Sequence, residues 1–141
     1  MKKIIFATCI LAVTSTPVFA IEFWHSGTVW ANQGMCAATF SFDAGPMSDT
    51  IQQLNIAVAI RGKAGKSIGK DVLEIEEFGG SEAARYATAP LVSAEMCGDA
   101  DGLVISVSKA SAIIDGKKVD LLKTRQLTAR EFKPFQIKVG K

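Results

Sequence analysis

The run Gly62-Lys63-Ala64-Gly65-Lys66-Ser67 ends as a phosphate-binding loop ends. Such a loop needs four residues between its glycines, so that the backbone can wrap the phosphates, and a helix N-terminus aimed at the anion. Here two residues separate the glycines and Ile68-Gly69-Lys70 leads into a strand pattern, so residues 62–70 read as a basic hairpin loop, a usual place for recognition. Asp99-Ala100-Asp101-Gly102 is a fragment of a calcium loop without the third carboxylate or the closing glutamate, and reads as a solvated turn. His25 is the only histidine, and neither a zinc site nor a histidine-based triad is expected. Glu74, Glu76 and Glu77 cluster as the carboxylates of a glycosidase do, with Glu74 and Glu76 on one strand face. Nothing around them suggests the burial that would raise one pKa, and a wet outer face is expected. No catalytic residue, cofactor or metal is therefore expected.

Recognition is better supplied. Trp24, His25 and Trp30 are large amphipathic side chains of the kind enriched at binding hot spots. Strict alternation puts Trp24 and Trp30 on the same face of one strand, where a small sandwich more often uses tryptophan as core.

The redox chemistry follows from the first 20 residues. Met1-Lys2-Lys3 is a positive start, residues 4–19 are largely apolar, and Val18-Phe19-Ala20 ends in the small residue a signal peptidase reads. A cleaved leader over 1–20 and a mature domain over 21–141 are expected, with no later membrane span. Cleavage removes Cys9 and leaves Cys36 and Cys97 as an even pair in an oxidising compartment, where one disulfide is expected. Their wide spacing is not that of a redox-active pair. Cleavage also removes Lys2 and Lys3, leaving 14 basic against 14 acidic residues. The charges are segregated: residues 21–116 carry a formal −6 and residues 117–141 a formal +6. Solvated strand exteriors account for this, and a basic edge that meets an acidic partner is the sharper reading. No nucleic-acid partner is expected.

The elements that would position these residues are strands. Alternation marks residues 23–30 and 35–42, with Cys36, Ala38, Phe40 and Phe42 on one face. It is clearest over 54–61, where Leu54, Ile56, Val58 and Ile60 alternate with polar or small residues. Residues 71–78 turn Leu73 and Ile75 inward. Residues 81–96 are open between a short helical turn and a strand broken by an edge proline, Pro90. Residues 103–109 alternate again, 112–119 form a hairpin whose Asp115-Gly116 suits a type I′ turn, and Phe135, Ile137 and Val139 mark a last strand. Seven or eight short strands without a long helix predict an all-β, antiparallel, immunoglobulin-like sandwich with one disulfide. The cysteine spacing loosely fits the inter-sheet bridge of immunoglobulin domains, but the tryptophan and tyrosine that accompany that bridge in antibody domains are missing.

The leader, the start Ile21-Glu22-Phe23-Trp24-His25-Ser26-Gly27, the segment Met35-Cys36-Ala37-Ala38-Thr39-Phe40 and the Cys36/Cys97 pair together resemble the interleukin receptor mimic protein A family of secreted bacterial proteins. The resemblance covers the whole chain and rests on general similarity, not on a chemical motif. It implies a fibronectin type III-like sandwich, no enzymatic activity, a homodimer formed by strand exchange, and binding to host interleukins or interleukin receptors that modulates immune signalling. It carries over no binding residues. A pilus-like surface-fibre subunit completed by a donated strand, and a periplasmic enzyme inhibitor or small hydrolase, stay open as alternatives.

Overall fold

The computed structural model describes residues 19–46, 48–62, 65–97, 102–131 and 135–140. The expected leader over 1–20 and the Asp99–Asp101 turn thus lie mostly outside the described residues.

Period-two alternation becomes two stacked sheets. One has the order β5-β2-β1-β8, from β1 (Ile21–Trp30), β2 (Cys36–Asp43), β5 (Tyr86–Ser93) and β8 (Leu127–Ala129). The other has the order β4-β3-β6-β7, from β3 (Thr50–Arg61), β4 (Ser67–Gly79), β6 (Val104–Ile114) and β7 (Lys117–Asp120), and β9 (Gln136–Val139) also pairs with β6. The inward sets named from the sequence meet between the sheets. Phe40 and Phe42 from one face Leu54, Ile56 and Leu73 from the other, Phe23 and Ile105 join them, and all are buried. Phe23 stacks on Phe42 with centroids 5.4 Å apart. The chain is a β-sandwich, and no helix among its described residues is long and apolar enough to cross a membrane.

Among the described residues nine strands are present where spacing suggested seven or eight, and two of their pairings are parallel: β1 with β8 and β6 with β9. Leu127–Ala129 is too short for its alternation to register in sequence, and it becomes a strand because β1 offers it a free edge. β4 also starts earlier than expected, at Ser67. Ile68-Gly69-Lys70 looks like loop, yet Gly69 and Lys70 pair with Ile60 and Ala59, which shortens the basic loop to residues 62–66. The open segment resolves into a turn over 81–84, strand β5 and a 3₁₀ turn, Glu95–Cys97. β5 lies at a sheet edge, where Pro90 can be accommodated without breaking an interior ladder. The predicted hairpin forms with both central residues left-handed, Asp115 at φ 51° and Gly116 at φ 70°, as a type I′ turn requires.

Cys36 and Cys97 are bonded, with Cα atoms 5.0 Å apart. The bridge does not cross between the sheets as in immunoglobulin domains. It ties the start of β2 to the 3₁₀ turn that follows its neighbour β5, and so staples one end of the β1-β2-β5 sheet.

Candidate functional site

The candidate residues sit on β1, and a bulge decides where each one points. Pairing with β2 runs Phe23↔Phe42, Trp24↔Ser41 and His25↔Phe40, then skips Ser26 and resumes at Gly27↔Thr39. An extra residue inverts the alternation beyond it. Trp24 therefore lies on the outer face of the sheet. Trp30 lies on the opposite side, across from Cys36 and beyond the end of the core, and is 72% exposed. The expectation that the two tryptophans share one environment fails for this reason, and neither is fully buried.

His25 precedes the bulge and points inward, 9% exposed. Its ring packs 4.3 Å from Phe135 and 5.7 Å from Phe40, and Nε2 lies 2.8 Å from the Thr28 hydroxyl. Burial pushes its pKa below the ordinary 6.5, against a smaller upward effect of its backbone bond to Gly27. The imidazole is thus a neutral core side chain with little surface to offer a partner. Because the unfolded chain takes up this proton more readily, stability is full above about pH 6.5 and declines as pH falls through that value. His25→Phe should flatten this decline, which urea unfolding at pH 7.5 and pH 5 would measure. A slope identical to that of the parent protein would show that His25 does not cause it.

Trp24 is half-buried on the outer face. The Arg130 guanidinium lies over its ring, 5.5 Å from the centroid, and is ion-paired with Glu22. Arg130 is held there by its backbone N–H, which donates to Phe23 O at 2.9 Å. The pairing register lays out this face row by row. At one end a charged row carries Glu22, Asp43 and Tyr86. Next come Trp24–Ser41–Thr88, then Gly27–Thr39–Pro90, and at the far end Val29–Ala37–Val92. Three successive rows hold no charge. Among the described residues, five of the six exposed large apolar side chains belong to this sheet or its edge turn: Val29, Trp30, Met35, Tyr86 and Val92, with Val72 the exception. The outer face of the other sheet contrasts with it, since Glu74, Glu77, Lys70, Lys109 and Lys118 stand on that side. Glu74 and Glu76 are both exposed, and Glu77 accepts a hydrogen bond from Gln52 at 2.8 Å.

Sequence reading did not single out Val29, Met35, Tyr86 or Val92. Each looks ordinary alone, and only cross-strand register gathers them. It also missed the ion pair at the charged row. The Arg85 fork donates to both carboxylate oxygens of Asp43, Nε at 2.7 Å and Nη2 at 2.9 Å, across 42 positions of sequence, and no local signal marks such a pair. Lys63 and Ala64 of the apparent phosphate loop fall outside the described residues, and the segment after it is a strand, not a helix. Among the described residues no group of three His, Cys, Asp or Glu side chains could hold a metal.

The decisive comparison is with protein families. The family model of interleukin receptor mimic protein A matches residues 21–129, which span every strand but β9. The chain belongs to the interleukin receptor mimic protein A family. A solved structure of a protein of this name, IrmA from Escherichia coli, superposes with a TM-score of 0.67 at 25% sequence identity, covering 86% of this chain and all of that one. No curated protein matches the sequence. The interleukin receptor mimic protein A family is named for receptor mimicry, not for a reaction.

Proposed function

We propose that the mature protein, residues 21–141, is exported behind a cleaved leader of residues 1–20 and binds an interleukin or an interleukin receptor of a host, without catalysis. The family match over residues 21–129 carries this reading and favours it over the fibre-subunit and enzyme-inhibitor alternatives. The contact surface is the outer face of the β1-β2-β5 sheet, with Trp24 clamped by Arg130 at one side and Val29 and Val92 at the other. Flat aromatic and aliphatic side chains there can be buried with little desolvation cost, and the charged row beside them supplies a polar rim. A homodimer formed by strand exchange fits the free sheet edges, β4 above all, whose long outer edge no other described strand covers.

Surface plasmon resonance against a panel of immobilised interleukins and interleukin-receptor ectodomains tests the reading. At least one member should bind, and Val92→Asp, which puts a carboxylate at the β5 end of the apolar row, should weaken that binding by about tenfold or more. Trp24→Ala, on the same face, should weaken it as well. A panel with no binder overturns the function, and a binder indifferent to both variants overturns the face. Light scattering coupled to size exclusion measures the dimer: a lone monomer removes strand exchange, and open-ended oligomers restore the fibre alternative.

A further inference from the structure

The segregated charge of the chain has a structural counterpart on the opposite side of the molecule. β6 pairs along one edge with β3. Along the other it pairs with β7 through residues 111–114 and with β9 through residues 104–107, so neither neighbour covers residues 108–110. A cleft of about 990 Å³ opens beside this gap, between β6 and the turn that joins β7 to β8. Its floor is apolar, with Val107, Leu121, Leu122 and Val139, and its walls carry Arg61, Lys123 and Arg125. A second depression of about 540 Å³ shares Ser108, Leu122 and Lys123 with it and adds Lys109 and Lys118, so the two form a continuous groove.

None of these five cations forms an ion pair with another described residue. One acidic residue, Asp120, lines the groove, and its carboxylate is already engaged: Oδ1 accepts the backbone N–H groups of Leu122 and Lys123 at 3.1 and 3.0 Å. The turn that presents Lys123 and Arg125 is closed by further backbone bonds, Gln126 N to Leu121 O and Leu121 N to Ala110 O, both 2.9 Å. The backbone that presents Lys123 and Arg125 is thus fixed beside an apolar floor, and only the side chains are left to be ordered when a partner arrives.

We infer that this groove is a second docking site, for an acidic peptide segment that places an apolar side chain on the Leu122–Val139 floor and carboxylates against Arg61, Lys123 and Arg125. Positive charge alone would suit any polyanion. The apolar floor selects a peptide over a sulfated glycan, which has nothing to bury there and gains from a flat basic surface instead. The site is separate from the β1-β2-β5 face, and it stands or falls independently of the interleukin reading.

Fluorescence anisotropy on the exported protein tests it, with a labelled peptide of two glutamates, a leucine and two glutamates, the same peptide with glycine for leucine, and a heparin hexasaccharide. The leucine peptide should bind most tightly, release as salt rises, and lose about tenfold or more in affinity with Lys123→Glu/Arg125→Glu. Arg61→Glu, on a different strand, should also weaken it, with near-UV circular dichroism confirming the fold of each variant. Tighter binding of the hexasaccharide, equal binding of the glycine peptide, or indifference to the variants overturns the proposal. Self-association of the parent protein that Lys123→Glu/Arg125→Glu abolishes overturns it too, because the occupant would then be the acidic part of a second copy.

Discussion

Replacing Cys36 and Cys97 together by alanine should cost about 4 kcal/mol of stability and lower the melting temperature by roughly 15–20 °C. The size follows from the loop. The bridge spans a sequence separation of 61, and closing a loop of that length removes much of the conformational freedom of the unfolded chain. Cys36 is buried and faces the core, so alanine suits the site better than serine, whose hydroxyl would be buried. Equilibrium urea unfolding distinguishes this origin from a loss of native packing. If the bridge acts on the unfolded chain, the variant should show a steeper dependence on urea as well as a lower midpoint, because its denatured state expands further. A loss below about 1 kcal/mol with an unchanged slope would contradict the loop account. The bridge should matter locally too, since Trp30 pairs with Cys36 and Ser93 flanks it on β5. Reduction should therefore loosen the end of the sheet that carries the proposed contact surface, and partner binding should fall with it at temperatures where the domain is still folded.

Much of this architecture is legible in sequence wherever one residue's neighbours along the chain determine its environment. Alternation over 54–61 and 36–42 reports burial directly, because successive side chains of a strand point to opposite faces. Asp115-Gly116 reports its turn because few other pairs tolerate two left-handed residues. The cysteine pair follows from compartment and count. What escapes depends on residues far away. The bulge at Ser26 shows only in the pairing with Thr39 and Phe40, yet it sends Trp24 and Trp30 to opposite sides of the sheet. Gly69 and Lys70 become strand because β3 is long enough to pair with them. The candidate surface is a property of register: Val29 and Val92 lie 63 positions apart and meet across Ala37. The sequence-level charge split accounts for three of the groove's five cations, Lys118, Lys123 and Arg125, but Arg61 and Lys109 come from the acidic segment, and the apolar floor needs β6, the β7–β8 turn and β9 assembled together.

Asp43→Asn should lower stability at neutral pH by about 2–3 kcal/mol, and that deficit should vanish in acid. Asp43 ends β2 and is 8% exposed, while Arg85 begins the chain's return into the same sheet after the crossover from β4. The crossover is confined as well: Gly79 and Gly80 are left-handed, at φ 82° and 78°, and a Cβ on Gly80 would run into Thr50 Oγ1. Two backbone bonds fasten it, Ala44 N to Arg85 O at 3.0 Å and Gly79 N to Ala84 O at 2.6 Å. Asparagine keeps an oxygen for the Gly45 N–H, which now donates to Asp43 Oδ1 at 2.7 Å, but it cannot accept the whole Arg85 fork, and a half-covered guanidinium is left without its counter-charge. The pH dependence follows from the same contact. The Arg85 hydrogen bonds hold the Asp43 carboxyl below the usual carboxylate range, outweighing its burial, with help from the Gly45 N–H and the charges of Arg85 and Arg130. A carboxylate with a depressed pKa contributes its full stabilisation above the unfolded value of about 3.9 and loses it as pH falls through the folded value. Arg85 stays protonated throughout and adds no slope of its own. Parent and variant should therefore differ most at pH 7, still differ near pH 4, and converge in stronger acid, in urea unfolding at each pH. Arg85→Lys should show a smaller deficit with the same acid convergence, since an ammonium keeps the charge without the fork. A deficit that persists unchanged into acid would assign the effect of Asp43→Asn to altered packing at the crossover instead of to the ion pair.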